Sequence, residues 1–188
     1  MAIQNLSEVR VRKIDRFLKK WKKGIVNLAE STAIFCSTEL IESQIPDQLP
    51  HPLLAFDDTD GNLSQSKIEG LCRAFPHIGS LTKELCDGTE NVFTSEQAKE
   101  AVTFVTELKA SVRILYCCCD FGQSRSAALA AALMTGMGRD PQEIWYDGRF
   151  FPNSLVYLIM CEALGVRVTA EELHELYERN REAAYEET

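Results

Sequence analysis

The sequence predicts one α/β domain over residues 1–188, with a central, mostly parallel sheet flanked by helices. Three observations carry this. A length of 188 residues suits a single domain. Apolar residues at 45% and charged residues at 26% are ordinary globular proportions, unlike those of a disordered chain. In the first two-thirds, short β-forming runs alternate with segments of helical periodicity, the order that puts helices on the faces of a sheet.

Residues 7–13 can form a short strand, followed by a helix that lines up Ile14, Phe17, Leu18 and Trp21 and ends at Gly24. Residues 25–28 and 32–36 are short apolar segments and read as strands or strand ends. Pro46, Pro50 and Pro52 make 41–52 mostly loop. Residues 53–56 read as a buried strand running straight into Asp57, Asp58, Thr59, Asp60 and Gly61. A helix over 64–75 would gather Ile68, Leu71, Cys72 and Phe75 on one face. Thr94 and Gln97 have capping-box spacing, with Phe93 as the hydrophobic staple, for a helix turning Ala98, Ala101, Val102, Val105 and Leu108 to a core. Residues 112–118 are the strongest central-strand candidate. Residues 125–137 read as an alanine-rich buried helix with Leu129, Leu133 and Met134 on its apolar face. Another helix starts near Pro152–Asn153 and runs to Gly165, and a last one has Thr169 as N-cap with Glu172 at its third position. Residues 166–188 are expected as a helical extension within the same domain.

The formal net charge of −8 argues against general nucleic-acid binding. Eight basic residues nevertheless crowd into 10–23: Arg10, Arg12, Lys13, Arg16, Lys19, Lys20, Lys22 and Lys23. They can attract an anionic partner, but the simpler reading is the solvated side of one helix. No apolar run is long enough to span a bilayer and the first residues lack a signal-peptide core, so a cytoplasmic protein without a transmembrane segment is expected. The seven cysteines, an odd number, fit reduced thiols better than disulfides. Cys117, Cys118 and Cys119 are consecutive. On a strand they alternate between faces and cannot easily converge on one metal ion.

The chemistry-bearing segment is Cys119-Asp120-Phe121-Gly122-Gln123-Ser124-Arg125-Ser126, between a predicted strand and a predicted helix. Such a loop can aim several backbone N–H groups at one anion, and the helix start adds more. Gly122 permits a backbone conformation that a Cβ would resist. Arg125 can hold two phosphate oxygens with its planar fork. A helix N-terminus and a neighbouring arginine favour the thiolate form of a cysteine. Cys119 would then attack a phosphate monoester to form a phosphocysteine, and Ser126 would donate a hydrogen bond to its sulfur. Residues 120–125 are the candidate substrate-binding cradle, with Asp120 turned away from phosphate, Phe121 at or beneath the rim, and Gln123 and Ser124 adding N–H groups and polarity. No cofactor or metal is required.

This loop matches the Cys-x5-Arg signature of the protein tyrosine phosphatase superfamily, and Ser126-Ala127-Ala128 resembles its small dual-specificity branch. The chain looks like compact bacterial phosphatase-like proteins that pair an early Phe-Asp-Asp segment, here Phe56-Asp57-Asp58, with such a loop and a late Pro-Asn, here Pro152-Asn153. The resemblance covers about residues 8–165. It implies a dual-specificity-type cysteine-phosphatase fold, a phosphorylated protein or small phosphoester as substrate, and a general acid among residues 57–60. Asp58 is the first choice, with Asp57 and Asp60 as alternatives. The family usually has a histidine before the nucleophile, where this chain has Cys118. Cys118 is read as a buried strand cysteine, or else as a thiol able to pair reversibly with Cys119. Residues 61–93 form a long stretch that is either a lid near the pocket or a surface embellishment. Two other classes are weighed against the phosphatase: a weak or inactive phosphate-binding module, and a rhodanese-like sulfurtransferase or arsenate reductase. Rhodanese-like loops are commonly shorter and lack the Arg-Ser helix entry. The small phosphatase and arsenate reductase arrangement has its cysteine loop near the N-terminus.

Overall fold

The computed structural model describes residues 3, 6–59, 63–86 and 91–186. Its centre is a sheet of four parallel strands in the order β1-β4-β2-β3. The strands are β1 (Glu8–Lys13), β2 (Ser31–Cys36), β3 (Leu53–Leu54) and β4 (Ile114–Cys119). Every residue of β2 is buried, as are the last five of β4. Parallel strands covered on both faces read as unbroken apolar runs, which is why 112–118 is so legible as a central strand.

The register aligns the carboxyl ends of three strands. Cys119 stands beside Lys13 of β1 on one side and Cys36 of β2 on the other. Loops leaving this edge of a parallel sheet converge on one crevice.

Two apolar layers cover the sheet. One packs α4 (Ser95–Thr106), α5 (Arg125–Gly136) and α7 (Ser154–Ala163) over Ile34, Cys36, Leu115, Cys117 and Cys119. The other sets Ile14 and Phe17 of α1 (Ile14–Lys22) against Ala33, Phe35, Tyr116 and Cys118. The consecutive cysteines thus alternate as strand geometry requires: Cys117 shares the face of Cys119, and Cys118 lies on the other. Cys118 is fully buried beneath the α1 layer, on the face opposite Cys119. On α1 the basic residues Arg16, Lys19, Lys20 and Lys22 are exposed while Ile14 and Phe17 face inward, so the N-terminal charge cluster includes a solvated helix face.

Further helices complete the fold: α2 (Gln65–Ala74), α3 (Thr82–Leu85), α6 (Gln142–Trp145) and α8 (Ala170–Glu186). The expected capping boxes form: the Thr94 hydroxyl accepts from Gln97 N–H while the Gln97 side chain accepts from Thr94 N–H, and Thr169 and Glu172 do the same for α8. Two expectations change. Residues 25–28 are loop rather than strand, because Gly24 takes a positive φ of 68° and Asn27 bends the chain by accepting Ala29 N–H, leaving Val26 as a buried plug. The strand expected over 53–56 pairs only at Leu53–Leu54, although Phe56 remains fully buried. The C-terminal helix packs onto the rest of the domain. Leu173 is fully buried, and the Asn180 amide donates to the carbonyls of Trp145 and Phe150 at 2.8 Å each. No helix among the described residues is long and apolar enough to cross a membrane.

Candidate functional site

Cys119 is the last residue of β4, and α5 begins at Arg125, so residues 120–124 form a tight connection at the carboxyl edge of the sheet. Gly122 makes the turn possible for two reasons. Its φ is +71°, and a Cβ there would lie 2.5 Å from the Lys13 nitrogen and 2.8 Å from the Arg12 carbonyl carbon. The loop is thus pressed against the end of β1. Its own N–H points back to the Cys119 sulfur at 3.2 Å. The Ser126 hydroxyl, fully buried at the second residue of α5, lies 3.0 Å from the same sulfur. Cys119 is 2% exposed and has two polar neighbours suited to a sulfur anion.

Burial pushes the thiols of Cys36, Cys117 and Cys118 up, so they stay protonated in the neutral range.

Arg125 is held from two sides. One terminal nitrogen donates to the Phe56 carbonyl at 2.8 Å and the other to Asp120 Oδ2 at 2.5 Å. Burial works against its charge, but the hydrogen bond and attraction to Asp120, aided by Cys119 and Asp58, raise its pKa overall. A guanidinium has five N–H donors. Two are engaged in these bonds, while the buried Nε has no partner among the described residues. An unpaired buried donor is costly unless an acceptor meets it, and an anion oxygen is such an acceptor.

Asp120, the cradle residue expected to turn away from phosphate, has both its oxygens committed. Oδ2 meets Arg125, and Oδ1 accepts from the Ser37 hydroxyl at 2.6 Å. The carboxylate orients the arginine. Ser37 is in turn fully buried and accepts the N–H groups of Glu39 and Leu40. Sequence reasoning missed Ser37. Its position directly after a buried, central-type strand was the available signal.

The three separate sequence echoes meet at one carboxylate. Asp58 Oδ1 accepts from the Ser124 hydroxyl at 2.7 Å and from the Asn153 amide at 3.3 Å. Asn153 also N-caps α7, accepting from Val156 N–H at 3.0 Å. Asp57 turns elsewhere: its Oδ1 accepts from Thr38 at 3.1 Å, and its N–H donates to the Asn91 carbonyl. Neighbouring aspartates thus diverge, and of the two Asp58 is the one at the lip of the 119–125 loop. Asp60 lies outside the described residues. Phe121 is at the rim, 72% exposed, with the Lys13 ammonium 5.8 Å from its ring centre. Gln123 ties the loop to the segment before α7, its carbonyl accepting from Phe151 N–H at 2.9 Å. From the 61–93 stretch, Gln65 at the start of α2 accepts a hydrogen bond from Ser154, beside Asn153.

No family model, no curated protein and no solved structure matches the chain.

Proposed function

We propose that this protein is a cysteine-dependent phosphatase of the dual-specificity type, acting on a phosphate monoester in the cytoplasm. The observation that carries the reading is the convergence of Cys119, Arg125 and Asp58 on one loop, with Ser124 and Asn153 holding the Asp58 carboxylate at its lip. Phosphate would lie over the loop, its oxygens meeting backbone N–H groups and the Arg125 Nε. The Cys119 thiolate attacks phosphorus from below. The S–P bond forms as the bond to the ester oxygen breaks, and protonated Asp58 gives its proton to that oxygen. Water then attacks the phosphocysteine and loses a proton to the Asp58 carboxylate. The S–P bond breaks, inorganic phosphate leaves, and the thiolate is restored with Ser126 and Gly122 N–H stabilising it. Asp120 keeps the guanidinium in place throughout.

The test is turnover of a panel of aryl and alkyl phosphates by wild type and Cys119→Ser, with phosphate binding followed by calorimetry. The reading expects turnover by wild type, none by Cys119→Ser, and phosphate binding by both. Phosphate binding without turnover in wild type would instead identify a binding module. Equal turnover by both proteins would reject cysteine chemistry.

A further inference from the structure

A cleft of about 510 Å³ opens directly from Asp58 and Ser124. Its far wall is α8, which presents Tyr177, Arg181 and Tyr185 at four-residue spacing, on one helix face. Its near wall is Phe151, 49% exposed and tied to the phosphate loop by its N–H bond to Gln123. The walls therefore offer aromatic surface and one cation. Arg181 is 58% exposed and pairs with Glu178, one turn back on its own helix.

We infer that this cleft receives the leaving group, and that α8 selects aryl phosphates carrying a second anionic group, which Arg181 binds. The inference rests on the phosphatase reading. In an in-line displacement the leaving oxygen departs on the side away from the attacking sulfur, where its proton donor must be. Asp58 lines the cleft, so whatever is attached to that oxygen continues into it. An aromatic ring there lies between Phe151 and the tyrosines of α8, and stacking favours it over an alkyl chain. A carboxylate or second phosphate beyond the ring meets the Arg181 fork. Glu178 competes for the same guanidinium and would moderate the preference.

A matched pair of substrates tests this: para-carboxyphenyl phosphate and its methyl ester, which share a ring and differ by one charge. Wild type should favour the acid in kcat/KM. Arg181→Ala should lower kcat/KM for the acid roughly fivefold more than for the ester, the size of a half-exposed charge contact. Glu178→Gln should increase the acid's advantage. Tyr185→Ala should slow both alike. Turnover of both substrates with no differential loss in Arg181→Ala overturns this inference and leaves the phosphatase reading standing. Turnover of neither substrate by wild type overturns this inference, and the phosphatase reading falls with it when the wider panel of aryl and alkyl phosphates is also untouched.

Discussion

Asp120→Asn removes the charge that holds Arg125 and leaves one amide oxygen where two carboxylate oxygens served two donors. The amide nitrogen must then face either Arg125, another donor, or Ser37, whose hydroxyl oxygen already accepts two N–H groups. The Arg125 side chain is 6% exposed and that of Asp120 26%. Cutting one side of a buried ion pair costs about 3–5 kcal/mol. Asp120 is partly open to water and Arg125 keeps the Phe56 carbonyl, so the lower end, about 3 kcal/mol, applies here. Urea denaturation followed by tryptophan fluorescence reads this loss, since Trp145 is fully buried. A loosened guanidinium should also reduce kcat about 10²-fold, the cost of a misplacement near 1 Å. Ser37→Ala should be milder and should couple to Asp120→Asn in a double-mutant cycle, because both act on one chain of bonds. Stability of Asp120→Asn within about 0.5 kcal/mol of wild type, with unchanged kcat, would refute this role.

Gly122→Ala should destabilise the protein by about 2–4 kcal/mol and abolish turnover, because the positive φ and the approach to the β1 backbone both exclude a Cβ; thermal melts and kinetics check this. Asp58→Asn should slow esters with poor leaving groups about 10²–10⁴-fold and activated aryl esters far less, whereas Asp57→Asn should not; equal rates for wild type and Asp58→Asn on both ester types would remove Asp58 as the acid. Burial pushes the Cys161 thiol up to about 12 from an ordinary 9.0, and it also raises Cys36, Cys117 and Cys118. Above pH 9.0 the unfolded chain loses protons that the folded chain keeps, so the stability from Cys161 is full below that pH and is lost as pH rises towards about 12. The slope is about 1.4 kcal/mol per pH unit for each such thiol, and Cys161→Ala should decline less steeply in denaturation measured at a series of pH values.

Much of this site is legible in the amino-acid sequence. The strand–loop–helix around Cys119 announces itself because a doubly covered strand is apolar throughout and a buried helix is rich in alanine. The caps at Thr94 and Thr169 are local chemistry within three residues, so sequence spacing suffices. Less legible are the long-range relations. Nothing near Asp120 in the sequence reveals that its partner is Ser37, since only the register of β2 beside β4 brings them together. Phe56-Asp57-Asp58 and Pro152-Asn153 are weak echoes separately and gain meaning through the Asp58–Asn153 bond, which tertiary packing creates. The 25–28 segment reads as strand because Ile25, Val26 and Leu28 are apolar, yet only Val26 is buried; Ile25 is 63% exposed. The role of α8 is also silent in sequence: its amphipathic pattern marks a buried face but not which cleft its other residues border.

The central claim is that Cys119 forms a covalent bond to phosphorus. The most direct measurement is rapid acid quench of wild type during turnover of an aryl phosphate, followed by peptide mass mapping. The account predicts one phosphoryl group on the peptide containing Cys119, formed no more slowly than steady-state turnover and absent from Cys119→Ser. Turnover with no such adduct, undiminished in Cys119→Ser, would contradict it.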